Sequence, residues 1–118
     1  MKVLVIGASV NRERYANIAI RDLLKYNHEV VAIGRREGEI AGVKIDTNLV
    51  PYEGVHTVTL YLGPQNQSPY YRYIKDLNPK RVIFNPGTEN LTFQQELEAK
   101  GIEATVACTL VLLRVNDF

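Results

Sequence analysis

The chain has 118 residues, enough for one packed core but not for two, so we expect a single domain over residues 1–118. Apolar residues make up 46% and charged residues 23% of the chain, a balance that excludes wholesale disorder. The formal net charge of +1 supplies no global field toward nucleic acid or a membrane surface, so any electrostatic recognition has to be local.

The cysteine and histidine content excludes further classes. A single cysteine, Cys108, cannot form an internal disulfide framework, and with only His28 and His56 beside it a zinc site is not expected. No apolar run approaches the roughly 18 residues that a membrane helix needs. The apolar stretch after Met1 is too short for a signal peptide, so a cytoplasmic location is the default expectation.

The first part of the chain predicts a strand–helix–strand unit. Residues 3–6 form a fully apolar run that ends at Gly7, typical of a strand buried on both faces of a parallel sheet. Apolar residues then recur at helical spacing over residues 15–26, and a second apolar run over residues 30–33 ends at Gly34. The unit spans about 30 residues, which is the size of a right-handed βαβ crossover.

The rest of the chain continues the alternation. Residues 35–53 are loop-rich and leave open a short strand around residues 43–45. Further strands are predicted over residues 55–62, 81–84 and 102–106, with helices over residues 70–77 and 91–100, whereas residues 108–115 fit a helical turn or a strand equally. This pattern predicts an α/β fold with a doubly wound parallel sheet of about five strands and helices on both faces.

The loop after the first strand has the features of a phosphate-binding loop. It holds Gly7, Ala8 and Ser9, with Arg12 and Arg14 before the following helix. Only the first glycine of the G-x-G-x-x-G dinucleotide motif is kept. The serine hydroxyl and the two guanidinium groups can instead bind phosphate oxygens, beside a helix N-terminus that favours anions.

The end of the second strand indicates which nucleotide would fit. An NAD-binding chain places Asp or Glu there to hold the ribose hydroxyls. This chain has Gly34, Arg35 and Arg36, and its first acid is Glu37. Two guanidinium groups favour a phosphate on the ribose, so NADP, with a 2′-phosphate, and coenzyme A, with a 3′-phosphate, both remain open.

A third segment, Asn-Pro-Gly-Thr-Glu-Asn at residues 85–90, connects a predicted strand to a predicted helix, where α/β sheets usually place a ligand loop. Pro86 would stiffen the loop and Gly87 permits close backbone approach. Thr88 or Asn90 is also expected to cap the helix that follows. Together with the first loop, the segment suggests one cleft for an extended, phosphate-bearing ligand.

Taken together, these segments resemble the small CoA-binding protein family, which is itself similar to the nucleotide-binding domain of the succinyl-CoA synthetase α subunit. The resemblance extends over nearly the whole chain and is carried by Gly7-Ala8-Ser9, Gly34-Arg35, Tyr61-Leu62-Gly63-Pro64, Asn85-Pro86-Gly87-Thr88-Glu89-Asn90 and Ala107-Cys108-Thr109-Leu110-Val111-Leu112-Leu113. It implies a Rossmann-like domain that holds coenzyme A or an acyl-CoA across the strand ends.

The resemblance also implies residue roles. Gly7, Ser9 and Arg12 would face phosphates, and Arg35 or Arg36 would face the 3′-phosphate. The path of the adenosine–pantetheine chain would be lined by Tyr61, Gly63, Pro64, Asn85, Pro86, Gly87, Thr88 and Glu89. Relatives often carry Asn-Pro-Lys after the second strand, whereas this chain has Gly-Arg-Arg, which keeps a cation there.

The sequence favours binding over any reaction. Neither His28 nor His56 has a partner constellation nearby, and Cys108 is expected to be a small core residue. Glu89 is the best candidate acid or base, although a first-turn acid that complements the helix dipole explains it more simply.

Three functions remain open. The first is a non-catalytic module that binds CoA or an acyl-CoA, and the second is an interaction subunit of a split acyl-CoA synthetase. The third, an NADP-dependent enzyme, is disfavoured because a lone unit of this length has no substrate domain. A homodimer and a partner synthetase subunit are left open as well.

Overall fold

One mixed sheet forms the centre of the computed structural model, which describes residues 1–118. The strands are β1 (Lys2–Ala8), β2 (Glu29–Gly34), β3 (Gly38–Ile40), β4 (Val43–Asp46), β5 (Thr57–Leu60), β6 (Arg81–Phe84) and β7 (Glu103–Val106). The helices are α1 (Tyr15–Lys25), α2 (Tyr71–Leu77), α3 (Leu91–Ala99) and α4 (Thr109–Arg114). Two 3₁₀ turns, Pro64–Asn66 and Ser68–Tyr70, lead into α2.

The strand order is β3-β4-β2-β1-β5-β6-β7, and every neighbouring pair is parallel except β3 and β4. The chain moves outward from β1 to β2 on one side and then returns to build β5, β6 and β7 on the other. The two halves meet between β1 and β5, which is the topological switch point where α/β sheets bind ligands. The predicted doubly wound, Rossmann-like fold is confirmed.

The structure adds two short strands to the five principal ones. β3 and β4 form an antiparallel hairpin whose turn, Ala41 and Gly42, has φ angles of 48° and 88°. Positive φ at both turn residues matches the twist of the flanking strands. β4 is the strand left open around residues 43–45, whereas the three residues of β3 are too few to show alternation. Residues 109–114, which fitted a helix or a strand equally, form α4.

The helices cover both faces of the sheet. Leu4 and Ile6 of β1 belong to the core under α2 and α3, whereas Val3 and Val5 belong to the core under α1 and α4. All four side chains are fully buried, which explains why the first strand is a continuous apolar run. None of the helices has the length and apolar character needed to cross a membrane.

Phe93 on α3 is the aromatic centre of one core and provides a test of this packing. Its ring stacks on Tyr71 with centroids 4.1 Å apart and meets the edge of Phe84 at 5.9 Å. We expect Phe93→Ala to lower the free energy of unfolding by about 3–5 kcal/mol, because it removes a buried ring and leaves a cavity. Urea denaturation measures this loss.

The matched control is Leu91→Ala on the same helix, where the side chain is 68% exposed. It should change the free energy of unfolding by less than about 0.5 kcal/mol. Similar losses for the two variants would contradict the described packing of α3.

Candidate functional site

A cleft of about 1060 Å³ opens at the carboxyl ends of the strands, over the switch point between β1 and β5. Its lining comes from four connections, within residues 7–16, 34–37, 61–70 and 86–88. Ligand pockets usually measure about 300–1000 Å³, so the cleft has room for a large, extended molecule.

Most of the predicted site residues lie together in this cleft. Those that line it are Gly7, Ala8, Ser9, Arg14, Gly34, Arg35, Arg36, Tyr61, Gly63, Pro86, Gly87 and Thr88. The four that lie outside the lining are Arg12, Pro64, Asn85 and Glu89. The contact of any of them with a ligand stays a prediction.

The loop after β1 is held in shape by its own polar groups. The Ser9 hydroxyl accepts a hydrogen bond from the Asn11 amide at 3.1 Å, and the Asn11 side chain accepts one from the Glu13 amide at 3.0 Å. Beneath the loop, the buried Asn17 side chain donates to the Ser9 carbonyl at 2.9 Å and accepts from the Arg21 guanidinium. Ser9 therefore keeps its hydroxyl proton available to donate to a ligand.

Asn17 was not singled out from the sequence. It lies within an apolar helical face, where a lone Asn gives no periodic signal. The structure assigns it the role of anchoring the first loop to α1.

The loops after β1 and β2 present backbone amides that have no acceptor in the protein. These amides belong to Ser9, Val10, Tyr15 and Ala16 in the first connection and to Arg35, Arg36 and Glu37 in the second. All seven residues line the cleft. The N-cap residue of α1, Arg14, is extended and provides no side-chain cap, so the helix N-terminus is open toward the cleft.

The arginines near the cleft are the unpartnered arginines of the chain. Arg14, Arg35 and Arg36 in the lining, and Arg12 beside it, form no ion pair and no side-chain hydrogen bond. Every other arginine has a polar partner: Arg21 with Asn17, Arg72 with Asp76, Arg81 with Thr57, and Arg114 with Asp22. Uncompensated cations beside free N–H groups make this side of the cleft receptive to anions.

The opposite wall is braced by Gln67, which is 1% exposed. Its side-chain amide donates to the carbonyls of Leu62 at 2.9 Å and Thr88 at 2.7 Å, and its oxygen accepts from Asn90 at 3.0 Å. The Asn90 oxygen accepts from the Phe93 amide at 3.1 Å, so Asn90 is the predicted cap of α3. Nothing in the sequence distinguished Gln67 from its polar neighbours.

The side-chain amide of Asn85 forms its hydrogen bonds with other groups of the protein. Its nitrogen donates to the Thr59 hydroxyl at 2.6 Å and to the Leu60 carbonyl at 2.8 Å, and its oxygen accepts from the Thr109 amide at 2.9 Å. The side chain is buried and joins β6 to β5 and to the first residue of α4. Its place in this structure is therefore that of a tie between elements.

Thr88, Glu89 and Gly87 form hydrogen bonds within the loop of residues 85–90. The Thr88 amide and hydroxyl both donate to the Asn85 carbonyl, at 2.9 and 2.7 Å. The Glu89 carboxylate accepts from the Gly87 amide at 2.8 Å. These hydrogen bonds fix the shape of the loop beside the cleft, whereas the arginines without a partner belong to the loops after β1 and β2.

Tyr61 lines the cleft but carries a buried hydroxyl that has no hydrogen-bond partner. The Thr59 and Thr109 hydroxyls nearby bond to each other at 2.8 Å. Burial raises the pKa of the Tyr61 phenol to about 12. The group is therefore neutral at ordinary pH.

The histidines and the cysteine lie away from the cleft. His28 precedes β2 and His56 precedes β5, so both are at the amino ends of the strands, and burial lowers the pKa of each. The expectation that Cys108 is a core residue is wrong: it is half-buried just before α4, outside both core clusters, and does not line the cleft. The chain holds no group of three or more His, Cys, Asp or Glu side chains placed to bind a metal ion.

Fold and cleft together define a Rossmann-like domain with an anion-receptive crevice at its switch point. The sequence identifies the family within this fold. The chain belongs to the CoA-binding domain family, whose model matches residues 1–114. No protein of curated function matches the sequence.

Solved structures share this fold. A crystal structure described as that of an uncharacterized protein is 47% identical, with a TM-score of 0.97, and the match covers 99% of this chain and 97% of that one. The cell-free ID.343 protein of Thermus thermophilus is 19% identical, with a TM-score of 0.86 and coverage of 99% and 90%.

A longer enzyme contains the same fold. The dinucleotide-forming acetyl-coenzyme A synthetase 1 of Ca. Korarchaeum cryptofilum is 18% identical, with a TM-score of 0.71. The match covers 90% of this chain but 25% of the synthetase. At this identity the likeness establishes the fold alone.

The unpartnered Tyr61 hydroxyl leads to a paired test with Tyr73, whose hydroxyl donates to the Val50 carbonyl. Tyr73→Phe should lower the free energy of unfolding by about 0.5–1.5 kcal/mol, because it removes one hydrogen bond to that carbonyl, to which the Tyr52 amide still donates. Tyr61→Phe should leave the free energy unchanged or raise it by about 1 kcal/mol, because no bond is lost. Urea denaturation at neutral pH compares them, and equal losses would contradict the unpartnered state of Tyr61.

Alkaline pH supplies a second readout of the same variant. The raised pKa of Tyr61 means that the folded state favours the neutral phenol. The contribution of this phenol to the free energy of unfolding is therefore complete below about pH 10 and is lost as the pH rises to about 12. Tyr61→Phe should therefore reduce the fall in unfolding free energy across this range.

Proposed function

We propose that the cleft binds coenzyme A or an acyl-CoA and that the chain acts as a non-catalytic binding module. The observation that carries the proposal is the grouping of unpartnered arginines with free backbone amides on one side of the cleft. Membership of the CoA-binding domain family supports CoA as the ligand.

Two separate cationic loops suit the two phosphate groups of this ligand. The loop after β1 and the N-terminus of α1 would bind the pyrophosphate through free amides, the Ser9 hydroxyl and Arg14. Arg35 and Arg36 after β2 would bind the 3′-phosphate of the ribose. The first two side chains after Gly34 in the lining are Arg35 and Arg36, and the acid Glu37 comes only after them. Arginines in place of an acid directly after the strand disfavour unphosphorylated NAD.

The chemistry of the lining supports binding without catalysis. The lining includes one carboxylate, that of Glu37, and no imidazole, thiol or lysine side chain. Acid–base catalysis usually needs a positioned pair of titratable groups, and this cleft does not present such a pair. The wall from residues 61–70 and 86–88 would hold the adenosine–pantetheine chain.

The role of the arginines can be tested by calorimetry with CoA and dephospho-CoA, which differ in the 3′-phosphate. We expect the wild-type chain to bind CoA about tenfold or more tightly than dephospho-CoA, since hydrogen bonds to charged groups contribute about 1.5–3 kcal/mol. The Arg35→Ala/Arg36→Ala variant should bind the two molecules equally.

Arg72→Ala is the control, because Arg72 lies on α2 and pairs with Asp76 at 3.3 Å. It should change the affinity for CoA by less than about twofold. Equal affinity of the wild-type chain for CoA and dephospho-CoA would remove the role of Arg35 and Arg36. Tighter binding of NADP than of CoA would favour the nicotinamide alternative.

A second candidate function is that of an interaction subunit in a split acyl-CoA synthetase. It is favoured by one observation, the match of this chain to a quarter of the length of an acetyl-coenzyme A synthetase. The expected result is copurification of a second chain that, with this one, forms a thioester from CoA and a short carboxylic acid when ATP is added. Recovery of the chain alone, without that activity, would favour the binding module.

A further inference from the structure

The loops after β1 and β2 touch at two glycines. A Cβ atom on Gly34 would lie 2.3 Å from the carbonyl oxygen of Ala8. A Cβ atom on Gly38, the first residue of β3, would lie 2.5 Å from a methyl carbon of Val10. Both distances are well below van der Waals contact, so the two loops are packed as closely as backbone without side chains allows.

Gly38 has no conformational reason to be glycine. Its φ lies outside the left-handed region, and it pairs with Ile45 in the β3–β4 hairpin, where any residue with a Cβ atom would be accommodated. Its other side-chain neighbour, Ile45, would be 3.8 Å from the added Cβ, an ordinary contact. The methyl group of Val10 is therefore the obstacle to a side chain at this position.

Val10 lies where a side chain added at position 38 would affect the first loop. It lies between Ser9 and Asn11, which form the hydrogen-bonded turn of the first loop, and it is 57% exposed although it is apolar. Its β-branched side chain has few χ1 rotamers, which limits how far it can turn away from a new methyl group at position 38. Three residues before Gly38, the second loop begins with Arg35.

We propose that Gly38 is a positioning residue that sets the distance between the two anion-binding loops through its contact with Val10. A side chain at position 38 pushes Val10 outward and moves the free amides of the first loop away from Arg35 and Arg36. The two phosphate sites are then too far apart for one ligand. This inference rests on the proposed function, in which both loops bind the same molecule.

The test compares Gly38→Ala, Val10→Ala and the double variant. In the double variant the two Cβ atoms would be 4.0 Å apart, an ordinary contact. We expect Gly38→Ala to weaken CoA binding by about fivefold or more, Val10→Ala to change it by less than about threefold, and the double variant to regain the Val10→Ala affinity. Glu39→Ala, on the next residue of β3, is the control and should leave binding unchanged.

Amide chemical shifts provide a readout that needs no ligand. The Ser9 and Asn11 amides should shift in Gly38→Ala and return toward the Val10→Ala positions in the double variant, while the Phe93 amide stays fixed. Unchanged Ser9 and Asn11 shifts in Gly38→Ala, or equal displacement in Gly38→Ala and the double variant, would overturn the inference. A wild-type chain that does not bind CoA would refute the proposed function, whereas the shifts would still decide the role of Gly38.

Discussion

Backbone N–H groups need acceptors, and those at the carboxyl ends of β1 and β2 have none within the protein. In a parallel sheet the chain leaves these strand ends through loops, where no neighbouring strand supplies an acceptor. Arginines that lack carboxylate partners stand beside the same donors. An anion would satisfy both requirements at once.

The two walls of the cleft have different chemistry. The wall after β1 and β2 combines free backbone amides with arginines that have no partner. In the wall after β5 and β6, the side chains of Gln67 and Asn85 join segments that are distant in sequence. A braced wall loses little freedom when a ligand arrives, which leaves more of the contact energy for affinity.

The sequence was most informative where one residue type has one strong physical preference. Continuous apolar runs predicted buried parallel strands, and Gly34-Arg35-Arg36 predicted a cationic strand end, which the structure places in the cleft. The hairpin of β3 and β4 was only partly visible, because three residues cannot display a period of two. Asn17 and Gln67 were missed because the burial of a lone amide depends on partners that are remote in sequence.

Asn85 illustrates a related limit. A polar side chain after a strand reads as a ligand contact, whereas here all its hydrogen-bonding atoms meet protein partners. Sequence pattern indicates that a polar group is needed at such a position but not which way it faces. The structure shows that Asn85 holds the wall together, and its contact with a ligand stays a prediction.

Gly7 stands at the base of the crevice with φ at 99°, and a Cβ atom there would lie 3.0 Å from the main chain of Tyr61. The Leu62 side chain would also lie 3.2 Å from that Cβ atom. The floor between β1 and β5 therefore has no room for a side chain on Gly7. The depth of the crevice at its base is thus set by a missing side chain, so any residue larger than glycine at position 7 would make the crevice shallower.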